Sequence, residues 1–249
     1  QCGSRGLGDV YKRQPYLLVG EYNKSAKFKV SIIGKGVLFD TGGYSMKSPS
    51  GMETMKTDMA GAATAWAIIK LAASFKLNIG VKVLTPLVEN MVSSTAIRPG
   101  DVLTMRNKKT IEVLNTDAEG RLIMADALAY AAEESPNLLC DVATLTGASY
   151  VALGLDIGAV FSNEMTLANN FVEANSSGVE SYHALPLFQS YKKLVKSDIA
   201  DLKNTGGRFG GAITAALILE EFVNDVPWIH IDMAGPARSR GSDPLTPTG

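Results

Sequence analysis

Four carboxylates and two lysines stand where ordinary solvated side chains are out of place. Asp40 follows the apolar run Val37-Leu38-Phe39 and precedes Gly42-Gly43. Asp58 stands at the N-cap position of an Ala-rich segment. Asp117 and Glu119 lie in Asn115-Thr116-Asp117-Ala118-Glu119-Gly120-Arg121, between an expected strand and an expected helix. In open α/β sheets such loops converge beyond the carboxyl ends of the strands. Four carboxylates gathered there repel one another unless cations hold them. Hard divalent ions meet that need, and two ions ~3.5–4 Å apart can share bridging carboxylates. Lys35 sits between Gly34 and Gly36 inside an apolar run. Beside cations it would lose its proton, because burial and like charge both lower its pKa, and the neutral amine could then ligate metal. Water between two cations ionises near neutral pH and becomes a nucleophile.

Each residue also has a plainer reading. Asp58 serves as an ordinary N-cap, Asp117 as a turn former and Glu119 as a complement to a helix dipole. Lys47, after Tyr44-Ser45-Met46, reads equally well as a solvated lysine. Asp40-Thr41-Gly42 resembles an aspartic-protease loop, but a single copy sits in a chain that is not all-β. Lys35 lacks the G-x-x-x-x-G-K-[ST] context of a phosphate-cradling lysine. Neither His183 nor His230 is needed for the metal chemistry; they read as a loop or surface residue and as a strand residue near the sheet end. The joint occurrence of four acids with two lysines favours the metal reading.

The elements that must position these residues alternate. Pro15–Tyr22 and Phe28–Phe39 are β-rich, the second broken by Gly34 and Gly36. Met59–Phe75 reads as a helix, with Gly61, Ala62, Ala63 and Ala65 allowing close packing on a sheet. Ile79–Val88 is a buried strand, Asp101–Leu114 a hairpin around Asn107-Lys108-Lys109, and Arg121–Glu134 a helix. Leu138–Leu145 and Ile157–Phe161 read as strands separated by a small-residue loop. Thr166–Ala174 and Ala212–Val223 are further helices, and Trp228–Met233 a last strand. This pattern predicts an α/β domain of three layers, α/β/α, around a mixed, largely parallel sheet.

Composition narrows the function classes. The chain has 249 residues, 46% hydrophobic and 20% charged, which suits one folded domain and excludes a disordered chain. Its 24 Lys+Arg against 25 Asp+Glu argue against an electrostatic nucleic-acid binder. Two cysteines, Cys2 and Cys140, make no disulfide scaffold or thiolate metal site, so a reducing cytoplasm is the default compartment. No segment reads as a membrane span. Residues 1–14 show no helical or strand period and no signal-peptide core; they resemble adapter-derived or disordered leader sequence. The end at Thr246-Pro247-Thr248-Gly249 has no cap, as in a fragment of a longer chain.

Five segments carry a family resemblance. They are Gly34–Lys47, Lys56–Ala63, Asn115–Leu122, Asp141–Ala148 and His230–Ala237, with Asn-Thr-Asp-Ala-Glu-Gly-Arg-Leu the most specific. Together they resemble the M17 leucyl aminopeptidase family (cytosol aminopeptidases) in order and spacing, over residues 15–249. The resemblance implies a phosphorylase/hydrolase-like catalytic domain, with the family's N-terminal domain absent and the C-terminal end truncated. It implies one metal held by Lys35, Asp40, Asp58 and Glu119, and another held by Asp40, Asp117 and Glu119. The ions would be Zn²⁺ or Mn²⁺, with Mg²⁺ or Co²⁺ as further candidates. Lys47 would be the electrophilic lysine and Arg121 would hold a bicarbonate base. Asn115, Thr144 and Leu145 would line the substrate cleft, with Met55 in the pocket for the first side chain. The implied activity is hydrolysis of the N-terminal residue, preferably Leu or another apolar one, from peptides with a free N-terminus. The implied assembly is a homohexamer. Two positions depart from the family: Thr41 replaces the usual Ser and Ala60 the usual Gly. Two other functions compete. One is a non-catalytic DNA-binding or assembly-scaffold role; the other is a two-metal phosphoesterase, for which no phosphate clamp is visible.

Overall fold

The computed structural model describes residues 14–238. The expected leader therefore lies outside the described residues except for Gln14, and so does the end at Thr246–Gly249. The strands are β1 (Tyr16–Tyr22), β2 (Lys29–Gly34), β3 (Gly36–Asp40), β4 (Gly80–Asn90), β5 (Val102–Thr104), β6 (Thr110–Glu112), β7 (Leu138–Ala143), β8 (Ile157–Ser162), β9 (Ser181–Ala184), β10 (Leu202–Lys203) and β11 (Trp228–Asp232). The α-helices are α1 (Pro49–Met52), α2 (Ala60–Ser74), α3 (Glu119–Ala132), α4 (Gly147–Leu153), α5 (Met165–Ala174) and α6 (Gly211–Glu220).

The main sheet runs β1-β4-β2-β7-β11-β8-β9, with β3 also on β4. Strands β2, β3, β4, β7 and β11 are parallel, so their carboxyl ends share one edge. β1 is antiparallel to β4, and β8 to β11, which makes the sheet mixed. β5, β6 and β10 form a separate small sheet, whose β5–β6 pair is the expected hairpin.

Alternation along the strands divides the apolar residues between two faces. Ile33, Leu84, Leu139, Phe161 and Trp228 pack with Met124 and Leu128 of α3 and Ile218 and Leu219 of α6. On the other face Ile32, Val81 and Val83 pack against Ala65, Ile69 and Ala72 of α2, and Val160 and Ile229 against Ala168 of α5. These are the three expected layers.

Several local expectations need correction. The Phe28–Phe39 run is two strands, because Lys35 leaves the ladder: its N–H donates to the Val142 carbonyl at 3.1 Å and its carbonyl accepts from Ala62 N at 2.8 Å. Helix α2 reaches that break through Gly61, where a Cβ would stand 2.1 Å from the Val142 oxygen. Ala62 and Ala65 pack inward as the composition suggests, but Ala63 faces solvent. The loop expected after β7 contains helix α4, started by Thr146, whose hydroxyl accepts from Ser149 N at 3.1 Å. Asp58 is not the N-cap of α2: Met59 holds that position, and Asp58 closes the preceding 3₁₀ turn, Met55–Thr57. His230 lies mid-strand on β11 and is fully buried, whereas His183 is exposed on β9.

Candidate metal centre

The parallel strands end together, and the candidate residues hang from those ends. Asp40 closes β3, Asn90 closes β4, and Lys35 sits in the break between β2 and β3. Thr144 and Leu145 follow β7, and the 3₁₀ turn Thr116–Ala118 leads Asp117 and Glu119 into α3. Crossed hydroxyl bonds join the first loop to that turn. Thr116 Oγ1 donates to the Gly42 carbonyl (2.6 Å) and accepts from Ser45 N (2.8 Å), while Ser45 Oγ accepts from Thr116 N (3.1 Å).

The two lysines interleave the four acids. Lys35 Nζ lies 2.9 Å from Asp58 Oδ1 and 2.9 Å from Glu119 Oε1, and donates to the Thr144 carbonyl at 3.1 Å. Lys47 Nζ lies 2.8 Å from Asp40 Oδ2 and 2.5 Å from Asp117 Oδ1. Lys47 is therefore held rather than freely solvated. Asp40 Oδ1 accepts from Gly42 N (2.8 Å), and Asp58 Oδ1 from the Thr144 hydroxyl (2.6 Å). Thr41 Oγ1 donates to the Asn90 carbonyl at 2.8 Å and accepts from Gly43 N at 3.2 Å.

Burial sets the electrostatics. It pushes the Glu119 carboxyl up to about 7, against the pull of Lys35 and with the help of Asp40 and Asp58. Burial likewise raises Asp58 and Asp117 above the usual carboxylate range. For Lys35 burial alone favours the neutral amine, but Glu119 and Asp58 outweigh it and hold the ammonium above the ordinary lysine range. Without cations the carboxylates thus favour the ammonium form of Lys35; the neutral amine is the expectation for the site with cations bound. Arg121 is lowered by burial.

The donor set fits hard divalent ions. Asp40, Asp117 and Glu119 each present a ligand oxygen within 4.8 Å of the others. Asp58 lies outside that triad and joins it through Lys35, which pairs with both Asp58 and Glu119. Asp58 Oδ2, Asp117 Oδ1 and Glu119 Oε1 are buried without a hydrogen bond, although the last two face lysine nitrogens in ion pairs whose geometry is not that of a hydrogen bond. Buried acceptors left so are costly, and coordination to a cation would satisfy them.

A cleft of about 360 Å³ opens over this floor. Lys35, Asp40, Lys47, Met55, Asp58, Asn115, Asp117, Arg121, Thr144 and Leu145 all line it; Glu119 does not. Asn115 caps the turn, its Oδ1 accepting from Asp117 N at 2.9 Å. Arg121 Nη1 donates to the Asn204 carbonyl at 2.5 Å, while its Nε is buried without a partner.

Three residues here had no role in the sequence reading. Asn204 holds the approach to the turn, accepting from Leu114 N (2.9 Å) and Asn115 N (3.2 Å). Asp232 holds the loop after β7, accepting from the Thr146 hydroxyl at 2.6 Å and Leu145 N at 3.2 Å. Asn90 donates to Asp40 Oδ1 at 2.8 Å and to the Thr116 carbonyl at 3.0 Å. Only Asp232 carried a signal, as part of the His230–Ala237 segment that resembles the family.

Comparison with known proteins agrees with this geometry. The chain is 49% identical over 239 residues to the probable cytosol aminopeptidase of Syntrophotalea carbinolica, covering 95% of this chain and 48% of that one. To the Chlorobaculum tepidum counterpart it is 48% identical over 244 residues, covering 95% and 48%. The chain thus spans about half the length of the curated relatives it matches. Among solved structures, the cytosol aminopeptidase from Coxiella burnetii superposes with a TM-score of 0.90 at 44% identity, covering 95% of this chain and 52% of that one. The bottromycin maturation enzyme BotP in complex with Mn superposes with a TM-score of 0.87 at 38% identity, covering 91% and 50%. Residues 6–249 match the family model described as the catalytic domain of the cytosol aminopeptidase family, and this chain belongs to that family.

Proposed function

We propose that residues 15–249 form the catalytic domain of a two-metal aminopeptidase that removes Leu or another apolar residue from the free N-terminus of peptides. The observation that carries this reading is the meeting of Asp40 and Asp117, which line an open cleft, with the buried Glu119, each with a ligand oxygen in reach of the others. One ion would be held by Lys35, Asp40, Asp58 and Glu119, and the other by Asp40, Asp117 (carboxylate and main-chain carbonyl) and Glu119. The ions are Zn²⁺ or Mn²⁺, with Mg²⁺ or Co²⁺ as alternatives; the manganese complex of a solved relative supports a divalent ion. Divalent ions bound there would supply Lewis-acid polarisation of the scissile carbonyl and a water acidic enough to serve as nucleophile near neutral pH.

The chain's own residues do the rest. Lys47 keeps its ammonium and stabilises the oxyanion that develops on the carbonyl. Arg121 would hold bicarbonate, which would supply the base. Asn115, Thr144 and Leu145 orient the peptide, and Met55 contacts its first side chain. The acidic floor suits a free α-amine rather than a blocked terminus, which supports removal of one residue at a time. On this reading the protein works in the cytoplasm on peptides, with the homohexamer of the full-length family as its assembly and neither membrane nor nucleic acid as an expected partner. No helix among the described residues is long and apolar enough to cross a membrane.

Metal content per chain and hydrolysis of a leucyl chromogenic amide, with Mn²⁺ or Zn²⁺, test the reading together. Asp117→Ala is expected to lose metal from the site it serves, and activity with it. Lys47→Ala is expected to keep metal and lose rate by roughly 100-fold or more, as removal of an oxyanion donor does. Equal hydrolysis by the unsubstituted chain and both variants, or hydrolysis indifferent to a chelator, would overturn it.

A further inference from the structure

Asn90, at the carboxyl end of β4, turns its side chain toward the carboxylates. Its Nδ2 lies 2.8 Å from Asp40 Oδ1, 3.0 Å from the Thr116 carbonyl and 3.4 Å from Glu119 Oε2. All three neighbours are acceptors, so the amide must turn its NH₂ toward them; the flipped amide would set an oxygen against three others. Two hydrogens serve the two short contacts, and Glu119 takes the weaker third. The same residue's main chain is committed as well: the Asn90 carbonyl accepts from Thr41 N at 2.9 Å and Thr41 Oγ1 at 2.8 Å.

We propose that Asn90 is a positioning residue for the metal centre: one neutral amide fixes Asp40 against the turn that carries Asp117 and Glu119. The inference rests on the two-metal reading above. Asp40 and Glu119 are the carboxylates that both ions would share, so a group that orients both acts on both ions at once. A lysine or arginine in this place would neutralise the acids and compete with the ions. An aspartate would add a fifth carboxylate and repel them. An asparagine donates without changing the charge of the site, and its planar NH₂ is wide enough to reach two acceptors. Groups that orient metal ligands in this way typically contribute 10–100-fold in affinity.

Asn90→Ala and Asn90→Ser, in the full chain, are titrated with Mn²⁺ against a chromophoric chelator. Unfolding of the metal-free forms is followed in parallel. Both variants are expected to bind Mn²⁺ at both sites with roughly 10–100-fold weaker affinity. Asp58→Asn, which alters only one ligand set, is expected to weaken one site and spare the other. A merely structural asparagine would lower the metal-free unfolding midpoint and leave the Mn²⁺ affinities within twofold, and that result overturns the proposal. If the unsubstituted chain takes up no Mn²⁺ or Zn²⁺, the two-metal reading itself falls and takes this role with it. Two ions on the unsubstituted chain and on both Asn90 variants, with equal affinity, refute only Asn90.

Discussion

Lys35 shows how much a single side chain carries at this site. It is almost wholly buried and is the shared cationic partner of Asp58 and Glu119. Removing one member of a buried ion cluster leaves uncompensated charge, at a cost of about 3–5 kcal/mol. Lys35→Met is therefore expected to lower the urea-unfolding free energy of the metal-free chain by about that much. Lys47 is more accessible, and Lys47→Met is expected to cost clearly less in the same measurement. Similar losses for both would mean that burial does not govern the cluster. Gly120 belongs to the same argument. A Cβ there would stand 2.8 Å from Lys35 Cε and Nζ, so the glycine of the octapeptide leaves room for the ammonium between its carboxylates.

At the scale of elements, the central strands are tied by a polar contact inside the apolar sheet. His230 of β11 pairs through Nδ1 with Asp141 Oδ1 of β7 at 2.6 Å, and Trp228 Nε1 donates to Asp141 Oδ2 at 2.7 Å. Burial pulls the His230 pKa down, but Asp141 outweighs it and the net shift is upward. A group whose folded pKa is raised contributes stability that is complete below its unfolded value, about 6.5, and is lost as pH rises through the folded value. The unfolding free-energy difference between the protein and His230→Asn should accordingly shrink as pH rises above about 6.5; a pH-independent difference would contradict the charged pair. Gly61 ties α2 to β7 by close approach, and Gly61→Ala is expected to cost roughly 1–3 kcal/mol or more in urea unfolding. Long apolar runs made β4, β7, β11, α2 and α3 legible in the sequence, because burial on the sheet gives them period and length. The two-residue β10 and the four-residue β9 carry no such pattern. Helix α4 reads as a loop because Gly147, Ala148 and Ser149 are small, and its start is fixed by Thr146, which Asp232 holds from β11. The acids were legible because charge after an apolar run is unusual. Asn90 was not, since an asparagine closing a strand is ordinary and its partner Asp40 lies fifty positions earlier.

The whole molecule converges on the cleft. Lys35 and Asp40 come from the β2–β3 side, Glu119 begins a helix on one face, and α2 packs its first turn against the Lys35 break from the other. Thr144 extends from β7, and Arg121 reaches the Asn204 carbonyl beyond β10. A cation joining Asp40, Asp117 and Glu119 would thus join parts of the chain that unfolding separates, and the unfolded chain offers no comparable site. Ligand that binds only the folded state stabilises it by RT ln(1 + [L]/Kd), about 2.7 kcal/mol for one site at 100 times Kd. For a protein of this size each kcal/mol raises Tm by about 2–4 °C, so a saturated site should raise it by roughly 5–11 °C. Mn²⁺ or Zn²⁺ is expected to produce that rise in a thermal melt, the rise should grow with the logarithm of metal concentration, and a chelator should reverse it. Asp117→Ala should show a clearly smaller rise than the unsubstituted chain, because one ligand set has lost its carboxylate while that of Lys35, Asp40, Asp58 and Glu119 is intact. If metal shifts that variant as far as the unsubstituted chain, the stabilising ion sits elsewhere, and the cleft floor is not where the cations bind.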